Sequence, residues 1–123
     1  MSDEKYKWLD ATVRLVSLTQ QGKISWTIAD KKLQPQNKGL ASEVFISTST
    51  SQTLRLYSSL GIVIRPHHDT GREKRIILES IDQDGATIWQ FPNNEALSDL
   101  LEVVQYRTSG VTNFLAELES LAR

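Results

Sequence analysis

Residues 76–104 read IILESIDQDGATIWQFPNNEALSDLLEVV, and the order of elements can be followed through this one stretch. The β-branched density of EKRIILESI, residues 73–81, predicts a strand. DQDG follows, with the chemistry of a tight turn: the Asp82 and Asp84 carboxylates can bond nearby backbone, and Gly85 tolerates positive φ. ATIWQF, residues 86–91, then pairs back to make a hairpin. Pro92 has no N–H to offer a further ladder bond and ends the strand, and Asn93 or Asn94 can cap a helix. Leu97, Leu100, Leu101 and Val104 supply the i, i+3, i+4, i+7 stripe of that helix.

Working outward, Gly110 interrupts or bends the helical pattern. VTNFLAELESLAR resumes it with Val111, Phe114 or Leu115, Leu118 and Leu121, so a stripe from Leu97 to Leu121 is expected to lie on the sheet. Upstream, SEVFISTS and QTLRLYSS are β-prone and joined by a short polar link at Thr50 and Ser51, which predicts an antiparallel hairpin. LGIVI either continues that sheet or opens a new strand after a bend at Gly61. KKLQPQNKGL, with Pro35 and Gly39, reads as a loop. KISWTIAD alternates, with Ile24, Trp26 and Ile28 on one face and Ser25, Thr27 and Ala29 on the other. Ahead of it, DEKYKWLDATVRLVSLTQQG is helical: Asp3 and Glu4 suit its positive end, and Gly22 suits its stop. Tyr6, Leu9, Val13 and Val16 form one apolar row, and Trp8, Ala11, Leu15 and Leu18 a second. So broad an arc exceeds what one sheet contact covers, which calls for a further contact with the C-terminal helices or another subunit.

Short connections favour an antiparallel meander, because parallel strands need long crossovers. The expected architecture is a single α+β domain over residues 1–123. It has an N-terminal helix, an antiparallel sheet of about five strands, and one bent or two C-terminal helices packed on one face. The opposite face would then carry some mixture of Phe45, Arg55, Tyr57, Thr87, Trp89 and Phe91.

Composition narrows the chemistry. Without cysteine there are no disulfides, zinc-thiolate sites or thiol nucleophiles, as expected of a reducing compartment such as the cytoplasm. MSDEKYKW lacks the apolar core of a secretory signal, and no apolar run is long enough to enter a membrane. Fourteen Lys and Arg against fifteen Asp and Glu leave a formal charge of −1, so only a local patch can attract an anion.

Such a patch exists in RPHHDTGREKR, residues 65–75. Arg65, His67, His68, Arg72, Lys74 and Arg75 are the candidate anion- or partner-binding residues, partly offset by Asp69 and Glu73. His67 and His68 with Asp69 do not make a metal site by themselves, since a zinc centre needs further convergent ligands and neither HExxH nor cysteine is present. No G-x-S-x-G elbow marks a catalytic serine, and turn formation accounts for Asp82 and Asp84. The glycine signatures of nucleotide binding are missing, so no cofactor is expected. Arg55 and Tyr57 share one face of LRLY, as on an RNA-binding sheet, but no RNP-like string accompanies them.

GKISW, DQDGATIWQFPNNEALSDLLEVV and YRTSGVTNFLAEL together resemble a type of small uncharacterised bacterial α+β protein. Such proteins have a Trp-containing strand, a D-x-D-G hairpin, an I-W-x-F-P strand end and paired C-terminal helices. The resemblance covers the first helix, the first strand and the last third of the chain, and it implies a fold without an activity or site residues. The expected function is a non-catalytic protein-interaction module that self-associates, as in a homodimer, or binds a protein partner. The alternatives are a nucleic-acid-binding accessory protein using residues 65–75, and a small hydrolase with His67 or His68 as base.

Overall fold

The computed structural model describes residues 2–36, 39–64 and 70–123, except for the side chains of 2–5, 62–64 and 70. An N-terminal helix α1 (Ser2–Gln20) leads into a sheet of β1 (Thr27–Ile28), β2 (Phe45–Ser47), β3 (Thr53–Ile64), β4 (Thr70–Ile81) and β5 (Thr87–Gln90). Two helices follow, α2 (Ala96–Thr108) and α3 (Val111–Leu121). The strands lie in sequence order and every pairing is antiparallel, so the α+β meander expected from short connections is the fold.

The DQDG turn forms as its chemistry dictates. Asp82 Oδ1 accepts from the backbone N–H groups of Asp84 and Ala86, both at 2.9 Å, and Gly85 adopts φ +85°. The returning strand stops at Pro92, just after the Phe91 N–H donates to the Leu78 carbonyl at 2.8 Å. Asn94 Oδ1 then accepts the Ala96 N–H at 3.0 Å and starts α2. Gly61 does not bend the chain: β3 runs unbroken through it to Ile64.

Strand alternation divides the interior into two layers. Leu54, Leu56 and Leu78 face α1 and α2, packing with Ile24, Trp26, Phe45 and the α2 residues Leu97, Leu100, Leu101 and Val104. From α1, Leu15, Val16 and Leu18 join this layer, and Trp26 Nε1–H donates to Thr19 Oγ1 at 3.1 Å. The two helices run in the same direction, because Asn94 reaches Thr12 at one end (3.1 Å) and Arg107 reaches the Gln20 carbonyl at the other (3.1 Å).

The opposite sheet face is covered by chain rather than by helix. Ala29, Val44, Ile46, Tyr57 and Ile81 form a second cluster, with Leu33 and Ile77 against it. The connection from β1 to β2, which includes a short 3₁₀ turn at Lys31–Leu33, therefore acts as a lid over that face. The strict alternation expected for KISWTIAD fails at its end: Ile28 is exposed and Ala29 is buried. β1 is only two residues long, and beyond it the chain crosses to the second layer. Of the residues expected on the far face, Tyr57 belongs to its cluster and Arg55 and Thr87 meet there, whereas Phe45 and Phe91 pack with the helix-side core.

Candidate functional site

The basic segment comes first, because it carries all the candidate residues taken from sequence. Arg65, His67 and His68 lie outside the described residues. Arg72, Lys74 and Arg75 are exposed on β4, where period-2 alternation separates them. Arg72 and Lys74 sit opposite Ile62 and Leu60, on the face that carries Ile76 and Leu78 toward the helices. Arg75 sits opposite Ser59 on the reverse face, where Glu73 lies 3.9 Å from its guanidinium. Alternation thus sets Arg75 on the face opposite Arg72 and Lys74, although Lys74 and Arg75 both reach the edge of β4.

The part of the β3–β4 hairpin that holds these cations has few neighbours. β2 pairs only with Leu54–Leu56 of β3, and β5 only with Glu79–Ile81 of β4. From Arg72 to Ile77, β4 thus has β3 on one side and no strand on the other among the described residues. Beside this edge lies an open groove of about 1040 Å³. Tyr6, Leu9, Ile76, Phe91 and Leu97 give it an apolar lining; Lys74 and Arg75 stand on the β4 side, with Glu73 and Glu95 also at its margin. The apolar surface continues along α1, since a second, shallower depression shares Tyr6 and Leu9 and extends to Val13.

Phe91, which lines the groove, belongs to an aromatic cluster that joins α1 to β5. Trp8 of α1 packs at a tilt against Trp89 of β5 with ring centroids 4.4 Å apart, and meets Phe91 edge-on at 5.0 Å. Trp89 is therefore an anchor for the N-terminal half of α1.

At the other end of α2 stands α3. Gly110 breaks the helix in the left-handed region (φ +79°), and none of the residues of α3 is buried. The apolar stripe expected from its spacing is present, but it does not lie on the sheet: Phe114, Leu115, Leu118 and Leu121 are 50, 53, 49 and 76% exposed. Four large apolar side chains on one short helix make a contiguous patch of the kind that marks a binding surface. The outer row of α1 shares this state, with Tyr6 and Val13 exposed.

Arg55 and Tyr57, the pair that sequence places on one face, are both buried, which rules out base stacking on that face. The Arg55 guanidinium donates four hydrogen bonds and holds an ion pair. Nε and Nη2 both meet Glu79 Oε2 at 2.6 Å, and Nη2 also reaches Thr87 Oγ1 at 3.2 Å. Nη1 donates to the carbonyls of Leu33 (3.0 Å) and Gly85 (2.9 Å), and the Thr87 hydroxyl completes the ring by donating to Glu79 Oε1 at 3.0 Å. This network fastens the 3₁₀ turn and the β4–β5 turn to β3. It is a structural clasp, and Arg55 is buried within it. Spacing alone does not reveal it, because Arg55 and Glu79 are brought opposite one another only by the β3–β4 register.

Among the described residues no three His, Asp or Glu side chains gather to hold a metal ion, and no helix is long and apolar enough to cross a membrane. Compared with protein-family models, with curated proteins and with solved structures, the chain has no match.

Proposed function

We propose that the chain is a non-catalytic protein-interaction module whose working surface is the apolar stripe of α3. A single observation carries this reading: α3 is an amphipathic helix with none of its residues buried, its apolar side chains Phe114, Leu115, Leu118 and Leu121 all being exposed. Isolated helices of this length are marginal in water, so a helix such as α3 gains its order from whatever covers its stripe. The rest of the molecule is a scaffold that presents it, with two packed layers, a clasped sheet face and an α2 whose apolar stripe is buried.

The test is a capture experiment from host lysate with the wild-type chain and with the double variant Leu115→Glu, Leu118→Glu, both checked by circular dichroism. Retention of a stoichiometric protein by wild type and its loss from the double variant would support the reading. Equal capture by the two folded proteins would overturn it.

A further inference from the structure

We infer that the first half of the β1–β2 connection and the β4–β5 turn form one coupled latch, which opens and closes as a unit because Arg55 holds both. The fold thus carries a strap that lifts from the reverse face of the sheet while the helix-side core stays packed.

The strap is Ala29–Gln34. Asp30 Oδ1 accepts the Leu33 N–H, the Lys31 carbonyl accepts the Gln34 N–H, and Gln34 Nε2 donates to the Ala29 carbonyl at 3.0 Å, so these bonds close within the strap itself. Among the described residues, two hydrogen bonds tie it to the rest of the chain. The Ala29 N–H donates to the Val44 carbonyl at its start (2.8 Å), and Arg55 Nη1 donates to the Leu33 carbonyl near its end (3.0 Å). The later part of the connection is fastened by backbone instead: the Ala41 N–H donates to the Ser58 carbonyl at 2.9 Å, and the Leu60 N–H to the Gly39 carbonyl at 2.7 Å. The strap is therefore the part that depends on a side chain.

The same Arg55 nitrogen holds the turn, donating to the Gly85 carbonyl at 2.9 Å. Strap and turn also touch, since a Cβ at Gly85 would stand 3.1 Å from the Lys32 carbonyl. With both in place, Arg55 and Glu79 are each 3% exposed. When either leaves, water reaches the guanidinium, and its bond to the other weakens from that of a desolvated charge to that of an exposed one. The second release is then easier than the first, and coupling of this kind is reciprocal. Leu54, Leu56 and Leu78 pack on the other face with α2, so the opening is local. It bares Ile46, Tyr57 and Ile81, the cluster against which Leu33 packs.

Amide hydrogen exchange, followed residue by residue, provides the test. Leu33 and Gln34 report on the strap, and Gly85, whose N–H donates to the Asp82 carbonyl at 3.0 Å, reports on the turn. In wild type these amides should share one opening equilibrium and be less protected than Leu101 and Val104 of α2. Asp82→Ala removes the acceptor of the Asp84 and Ala86 N–H groups and leaves the strap's own bonds in place. It should speed exchange at Leu33 and Gln34 as much as at Gly85, by about tenfold. Asp30→Ala, which removes the cap of the 3₁₀ turn, should in return speed exchange at Gly85. In a chain carrying Arg55→Met and Glu79→Leu, the response of the strap to Asp82→Ala should fall to about twofold or less. Leu33 and Gln34 indifferent to Asp82→Ala would overturn the coupling, and strap amides as protected as Leu101 and Val104 would overturn the local release. An undiminished response in the chain without Arg55 would overturn its role as the shared latch.

Discussion

Arg55 and Glu79 show how one pair of side chains can hold a sheet face closed. Both are almost fully buried, and removing one partner leaves an uncompensated charge in a low-dielectric layer. Glu79→Ala is therefore expected to cost about 3–5 kcal/mol in urea denaturation. Replacing both residues with apolar ones, Arg55→Met with Glu79→Leu, should cost clearly less than Glu79→Ala alone, because no charge is then stranded. A double variant less stable than Glu79→Ala would show that the bonds to the Leu33 and Gly85 carbonyls outweigh the ion pair. Ser58 presents the opposite case: its hydroxyl is fully buried and has no hydrogen-bond partner among the described residues. Ser58→Ala is expected to keep or raise stability by about 1 kcal/mol, since it removes a desolvated donor; a lower denaturation midpoint would point to a partner for that hydroxyl. Neither residue could be understood from the linear chain, because burial of Arg55 depends on a register that pairs residues 24 positions apart.

At the scale of elements, hairpins and helices were legible where local chemistry and long-range packing agree. In DQDG, Asp82 makes the turn's side-chain bonds and Gly85 takes the positive φ, and Pro92 and Asn94 mark the end of β5 and the start of α2 as their backbone chemistry requires. Gly85→Ala should cost about 1–2 kcal/mol, both from the left-handed backbone and because a Cβ would stand 3.1 Å from the Lys32 carbonyl; an unchanged melting midpoint would contradict the turn geometry. The two C-terminal helices mark where legibility stops. α2 and α3 carry similar apolar stripes, yet Leu97, Leu100, Leu101 and Val104 are buried while Leu115 and Leu118 are not. Periodicity reports that a helix has an apolar face, and only three-dimensional placement reports what covers it. The helices should accordingly respond differently to mutation. Leu100→Ala is expected to destabilise by about 2–5 kcal/mol, whereas Leu118→Glu should leave thermal unfolding of the dilute, monomeric chain unchanged.

At the scale of the molecule, the described residues form a two-layered interior with apolar surface left open outside it. The sheet packs against α1 and α2 on one face and against the β1–β2 connection on the other, and among the described residues the groove beside β4 and the stripe of α3 keep apolar side chains open. The broad apolar arc of α1 signalled a second contact from sequence, and Tyr6 and Val13 are the exposed part of that arc. The cationic segment was legible as charge but not as a site: alternation along β4 splits Arg72 and Lys74 from Arg75, and the groove is bordered by Lys74 and Arg75 together with Glu73. The most direct measurement of this arrangement is a photo-cross-link from position 118, with a photoreactive residue in place of the exposed Leu118 and the products mapped by mass spectrometry. The account predicts a covalent adduct in which the α3 peptide is joined to a peptide of another protein chain. The absence of any intermolecular product through position 118 would contradict it.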